Sequence, residues 1–444
     1  MQRRDLWAAV LLIAAAAPAS AGDAPLELDL RKAIELALAP AGNARVQLAE
    51  ESRAQARERS RQARAALLPN LEASLSQQSQ TRNLEAFGIR FETTIPGFGI
   101  PASVGPFNVF DARATMTQTI FDFGAIRRHQ ASKAGIGAAD AEAETVRDQV
   151  AQQAANLYLA ALRAETGVEA ARANVALAEE LVQLATNQKT AGTGTGVEVT
   201  RARVQLSNEH QRLLVAENER RQAHLQLLKW IGLPLESELR LTEQLGYAKP
   251  EAPSPEEALG KAIEARADIR AQRKREAAAR LNHSAVKMER LPSLVGFADY
   301  GSIGSSINHA IPTRTYGASL RLPLFDGGRR EARRAESRSQ YEQERIRTAD
   351  LKRQVELEIR LALDNLRSSD EQVLVSREGL KQAEEELAQA QRRYEAGVAS
   401  SIEVTDAQTR LARARDNHIA ALFLFNKAGI DLRQAMGTVR GLLH

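Results

Sequence analysis

The stretch YEAGVASSIEVTDAQ, residues 394–408, places two carboxylates, Glu403 and Asp406, shortly after a glycine, Gly397. At an i, i+3 spacing they share one face of a helix. A looser copy, KTAGTGTGVEVTRAR at 189–203, keeps the glycine as Gly192 and the first carboxylate as Glu198, but has Arg201 where the other has Asp406. Taken alone, such carboxylates are solvated helix-start residues favoured by the helix dipole. Nothing around them completes a reactive centre. The seven histidines, at 129, 210, 224, 283, 309, 418 and 444, show no HExxH or other metal spacing, and His418 reads as a packed core histidine. GTGTG at 192–196 lacks the GK[ST] and the preceding strand of a phosphate loop. Cysteine is absent, which excludes disulfides, zinc thiolates and lipidation of an N-terminal cysteine. The sequence therefore offers no catalytic, cofactor-binding or metal-ligating set.

The elements that position these residues follow from composition and pattern. Of 444 residues, 43% are hydrophobic but only 4% aromatic, so the apolar content is mostly Ala, Leu and Val, as in closely packed helices. Sixty basic residues against 56 acidic ones make a solvated surface rather than a nucleic-acid footprint. The opening MQRRDLWAAVLLIAAAAPASA has a basic start, an apolar run from Leu6 to Ala17 and an A-x-A end, which predicts a signal peptide over 1–21 cleaved before Gly22. No later stretch is long and apolar enough for a transmembrane helix. Any entry into a membrane must then be made by strands.

The chain reads as a duplication. ALLPNLEASLS at 66–76 recurs as ERLPSLVGFAD at 289–299, IFDFG at 120–124 as LFDGG at 324–328, and Gly192 as Gly397. The prolines of the first motif lie 223 residues apart, the FD phenylalanines 204 and the glycines 205, so the first copy has 19 extra residues between its LP and FD. That surplus falls in the Gly- and Pro-rich stretch 81–108, which reads as a long loop. The expected repeats are 22–253 and 254–444. Each has a moderate helix, a β-hairpin (about 70–122 and 293–326) and a long helical hairpin (about 124–232 and 328–437).

Pro69 and Pro292 end the moderate helices; Ser254, Pro255 and Glu257 make a capping-box start for the second. Phe110, Ala112, Ala114, Met116 and Ile120 alternate with polar residues, as do Tyr316, Ala318, Leu320, Leu322 and Leu324. Beyond them come heptad seams, Ala154 to Ala185 in one copy and Leu366 to Tyr394 then Val404 to Ala435 in the other. A helix over about 329–395 would be on the order of 100 Å long, too long for a compact domain. Gly192 and Gly397 then read as the tip turns of antiparallel coiled coils. Four amphipathic strands with free edges cannot sit in lipid alone, but three chains would close a ring of twelve strands and twelve helical strands. The fold class expected is an α+β membrane protein, a trimeric 12-stranded β-barrel on a 12-helix α-barrel.

Nearly all of the chain after the leader resembles the TolC family of outer-membrane exit ducts. LRKAIELAL, ARAALLPNL, RADIRA, FDFG and FDGG carry the resemblance, and above all RYEAGVASSIEVTDAQTRLARAR. The resemblance implies a homotrimer in the outer membrane with a long periplasmic extension. It would be a passive channel and not an enzyme, receiving substrates from an inner-membrane pump through a periplasmic adaptor, in efflux or type I secretion. It also implies that Glu403 and Asp406 are the paired acidic residues of the periplasmic entrance, making two stacked rings in a trimer, and that Glu198 fills the matching acidic site of the first copy. Tyr394 matches a tyrosine that latches the entrance in some members, whereas Ala399 occupies the place of its usual basic partner. No cofactor and no nucleic-acid partner are implied. A periplasmic coiled-coil adaptor or scaffold is the alternative, and the two amphipathic hairpins argue against it.

Overall fold

The computed structural model describes residues 26–88, 102–249 and 252–443; the signal-peptide reading lies outside the described residues. A short strand β1 (Leu26–Leu28) leads into helices α1 (Leu30–Leu38) and α2 (Ala44–Ala65), then strands β2 (Asn70–Asn83) and β3 (Ser103–Phe121). Two helices follow, α3 (Phe123–Thr190) and α4 (Gly196–Ile231), and a strand β4 (Leu239–Leu241) that pairs parallel with β1. The order then recurs: α5 (Pro255–Ala265), α6 (Ala267–Met288), β5 (Ser293–Gly304), β6 (Ile311–Arg321), α7 (Arg329–Glu395) and α8 (Ser401–Ala435).

The four long strands form one antiparallel sheet in the order β2-β3-β5-β6, so β2 and β6 are its edges. Its register sorts the side chains. Leu71, Ala73 and Leu75 oppose Met116, Ala114 and Ala112, which continue to Ala298, Tyr300 and Ser302 and on to Tyr316 and Arg314. This face is largely apolar and open: Leu71 is 72% and Tyr316 79% exposed. The other face carries Glu72, Ser74, Thr115, Thr117, Asp299 and Thr315. There Arg113 spans Asp111 and Asp299 at 3.1 Å each, an ion pair that crosses from β3 to β5. A register shift between Thr119 and Phe121 brings Ile120 over Gly296 and pairs Phe121 with Leu294, so two consecutive apolar residues serve one face.

Two boundaries differ from expectation. The stretch 81–108 is strand at both ends, since β2 runs to Asn83 and β3 starts at Ser103; ladder pairing supports these polar residues where no alternation marks them. Residues 89–101 of it lie outside the described residues. The second hairpin ends at Arg321, before Leu322 and Leu324, because Pro323 has no N–H to continue a ladder.

The helices form columns. α3 and α7, 68 and 67 residues long, are each on the order of 100 Å at 1.5 Å per residue. The upper half of α3 packs on α2 and α6, through Asp140 with Arg53 and Glu142 with Arg275. Its lower half packs on α4 and α8, through Arg172 with Glu217 and the Leu177 carbonyl accepting from Gln408. α7 packs on α6 above and α8 below, as in Thr348 with Glu276 and Arg410 with Glu386. Small seam residues permit this closeness: Ala154, Ala161, Val168, Ala178 and Ala185 are all buried. Each larger seam residue that is fully buried, such as Ile359 or Leu411, stabilises by roughly 1.5–3 kcal/mol.

The shorter helices meet end to end at two joints. Asn43 caps α2 by accepting from the Arg45 N–H at 2.9 Å, while its amide donates to the Trp230 carbonyl at the end of α4 at 3.0 Å. In the second half the Arg266 guanidinium donates to the Ala435 carbonyl at the end of α8 at 3.1 Å and pairs with Asp268 and Glu358. Gly232 and Gly437 turn the chain at these joints with φ of 76° and 73°, and a side chain at Gly232 would collide with the Gly42 carbonyl. Arg266 also breaks the single moderate helix expected after Ser254 into α5 and α6, its backbone extended at ψ 125° so that its side chain can reach the end of α8. The Ser254 capping box with Glu257 is present.

Arg266 is only 10% exposed at its side chain. Arg266→Ala strands two carboxylates and a helix-end carbonyl and should destabilise by about 3 kcal/mol. Arg240→Ala removes an exposed pair with Glu27 and should cost under about 0.5 kcal/mol. Urea midpoints of the two purified variants in detergent distinguish these outcomes, and equal midpoints would contradict the joint's role.

Candidate functional site

Both helical hairpins turn at the same end of the molecule. At the first, Gly192 has φ 77° and its N–H bonds the Lys189 carbonyl; at the second, Gly397 has φ 71° and bonds the Tyr394 carbonyl. A left-handed residue at a helix end is least strained as glycine. Thr193 and Val398, next in line, return to the carbonyls of Gln188 and Arg393, each closing a second bond around its turn.

The carboxylates follow directly. Glu198 is the third residue of α4, and Thr195 is its N-cap in a reciprocal capping box: the Thr195 N–H donates to Glu198 Oε2 at 2.8 Å and the Glu198 N–H to Thr195 Oγ1 at 3.4 Å. Glu403 has the equivalent place in α8, but Ser400 makes no side-chain cap there. Glu403 instead pairs across the turn with Arg393 at 3.0 Å. Asp406 pairs with Arg410, which also holds Glu386. All three carboxylates thus lie at one end of the molecule, each with a partner on its own chain. Both ion pairs are largely exposed and contribute little stability.

Tyr394 is a seam residue, 2% exposed, packed with Leu387, Ala390, Val404 and Ala407 and with Val199 of the other hairpin. Burial pushes its phenol above the ordinary range, and the charge of Glu198 adds to the effect. Its hydroxyl has no hydrogen-bond partner, whereas its carbonyl accepts from Gln188 Nε2 at 3.0 Å, tying one tip to the other. Ala399 lies in the turn between α7 and α8. Gln188, Arg393 and Arg410 were not singled out by the sequence; their signal, a polar residue one turn from a tip glycine or carboxylate, is common on any charged helix.

The remaining motifs are structural. Asp122 caps α3 by accepting from the Ala125 N–H, and Asp326 accepts from the backbone and guanidinium of Arg330, so the FD aspartates start the two long helices. His418 sits in the α7–α8 seam with Nδ1 3.1 Å from Ser376 Oγ, and burial lowers its pKa. No metal-binding group of His or carboxylates, and no helix long and apolar enough to cross a membrane, exists among the described residues. Thr195→Ala opens the capping box and should weaken the start of α4 by about 1 kcal/mol, read as faster amide exchange at residues 196–200. Ser400→Ala should leave α8 unchanged, and equal effects would refute the asymmetry of the tips.

Comparison with known proteins gives these tips a context. The chain matches the model of the outer membrane efflux protein family over residues 36–233 and 258–438. It is 26% identical over 294 residues to the pyoverdine export outer membrane protein OpmQ of Pseudomonas aeruginosa, covering 64% of this chain and 60% of that protein, less than two thirds of its length. The fold is that of solved channels: the CmeC outer membrane channel of Campylobacter jejuni, at TM-score 0.78 and 17% identity over 92% of this chain and 86% of that one, and the open state of the MtrE outer membrane channel of Neisseria gonorrhoeae, at 0.76 and 18% over 92% and 89%. With both halves matched and the fold shared with outer-membrane channels, the chain belongs to the outer membrane efflux protein family, the TolC family that its tip motif resembles.

Proposed function

We propose that this chain is one protomer of a trimeric exit duct, a passive channel that receives substrates from an inner-membrane pump through a periplasmic adaptor and releases them across the outer membrane. One observation carries the reading: a single four-stranded sheet with one apolar face, one polar face and two unpaired edges continues into helices on the order of 100 Å long. Open edges are not tolerated in hydrocarbon. Pairing β6 of one chain with β2 of the next closes twelve strands in three chains, apolar face to lipid and Arg113 inward. Strands β5 and β6, 12 and 11 residues long, suffice to span a bilayer when tilted.

The helices of three chains would continue the barrel as a periplasmic tube, with each chain organised as repeats 22–253 and 254–444 after removal of the leader 1–21. The tips would then be its entrance. Glu198, Glu403 and Asp406 from three chains surround the axis, where fixed charge in a narrow passage selects ions. Tyr394 stiffens the entrance by packing, with its carbonyl rather than its hydroxyl holding the neighbouring tip. The relatives named for pyoverdine export support a cargo of secreted small molecules, and no part of the reading requires catalysis or nucleic acid.

Electron-microscopic imaging of the protein extracted from outer membranes should show a three-fold hollow particle with a long tube; a monomer or dimer without a lumen would overturn the duct. Glu403→Gln combined with Asp406→Asn should lower the cation preference of the reconstituted channel, and unchanged selectivity would remove the entrance role from these carboxylates.

A further inference from the structure

The duct reading leaves Arg201 without a role. It lies in the second turn of α4, exposed, and at the 205-residue spacing that relates Gly192 to Gly397 it takes the place of Asp406. The structure brings the two residues to one groove between α4 and α8, a cavity of about 580 Å³ whose apolar walls are Val204 and Ile402, with Thr200 and Thr405 beside the charges. Asp406 is held by Arg410, which is shared with Glu386. At this height one chain therefore presents Arg201 and Arg410 against Asp406 and Glu386, a balanced set. Nearer the tip, Glu198 is closed on Thr195 and Glu403 on Arg393.

We infer that Arg201 is a selectivity-determining residue of the entrance: it cancels the inner carboxylate ring of Asp406, so that anionic cargo passes where two stacked acidic rings would repel it. The inference rests on the duct reading. Around a three-fold axis the inner ring alternates in sign, Arg201 of α4 and Asp406 of α8 in turn, and charges closer than about 10 Å at 0.1 M salt act on one another and on a passing ion with little screening. Alternation also lowers the mutual repulsion that a uniform acidic ring would place on the closed tips. The outer carboxylates, Glu198 and Glu403, then supply what cation preference the entrance has.

The test is the reversal potential of the purified full chain in planar bilayers under a potassium chloride gradient. Arg201→Gln should raise the potassium-to-chloride permeability ratio by about twofold or more, because three uncompensated carboxylates then face the passage. Asp406→Asn should lower the ratio, and the charge swap R201D/D406R should restore a near wild-type value, which a merely structural role for either residue would not produce. A ratio unchanged by Arg201→Gln while Glu403→Gln shifts it would overturn the assignment and leave the duct standing. Absence of conductance from every chain, wild type included, would overturn both.

Discussion

Backbone hydrogen bonding at the two edges of the sheet is the constraint on which everything else depends. β2 and β6 each present a row of peptide groups with no strand partner among the described residues, and in hydrocarbon each unpaired group costs several kcal/mol. A chain of this design has no self-sufficient membrane form. In the proposed duct it would find other copies, three of which bring twelve strands to the ring. In the proposed duct the same requirement would explain why the apolar face holds Leu71, Leu75, Met116 and Tyr316 in the open rather than against a helix: their solvent would be lipid, while Arg113 and its two aspartates stay on the face that a lumen would hydrate.

Closure of the strands in the proposed duct would impose a diameter on the helices, and the joints are how the chain could meet it. Two helices of the chain, α3 and α7, run the full length of the helical columns; the other two columns are each built from two pieces, α2 with α4 and α6 with α8. Their ends meet at Asn43 and Trp230 in one half and at Arg266 and Ala435 in the other. A helix end buried at such a junction would leave carbonyls unsatisfied, and in both halves one side chain from the start of the upper helix supplies the donor. The halves solve this with different chemistry, a neutral amide in one and a guanidinium held by two carboxylates in the other. The joint is therefore a requirement of the architecture and not an inherited residue.

Much of this was legible in the sequence because it is periodic. The bounds of α7, the seams from Ala154 to Ala185 and from Val404 to Ala435, and the cap at Ser254 all rest on local patterns that tertiary structure does not override. What escaped depends on contacts distant in sequence. The three-residue pairing of β1 with β4 joins residues more than 200 apart, and the break at Arg266 exists because α8 ends below it. Extension of β2 and β3 through polar residues comes from the partner strand rather than from hydrophobic alternation. The tip carboxylates were visible, but their arginine partners were not, since Arg393 and Arg410 look like any solvated charge until the turn brings them close.

The tips also show that local and collective roles of a charge need not compete. Glu198 at the third position of α4 completes its own cap, which is what the dipole and the orphan N–H groups favour in any helix. Pairing does not remove its field: in the proposed duct an exposed ion pair or a capped carboxylate would be a dipole or a charge beside the axis, and a narrow passage with low-dielectric walls would focus that field rather than disperse it. Glu198 thus begins its helix through a cap, while Glu403 starts α8 paired with Arg393; in the proposed duct both would in addition face a passing ion. Arg201, exposed in the second turn of α4, makes no cap there and lies past the first turn to which the helix dipole's effect is confined. With no local reason for its sign, a cation at the position where the duplicated half has a carboxylate is the difference on which the proposed entrance electrostatics would turn.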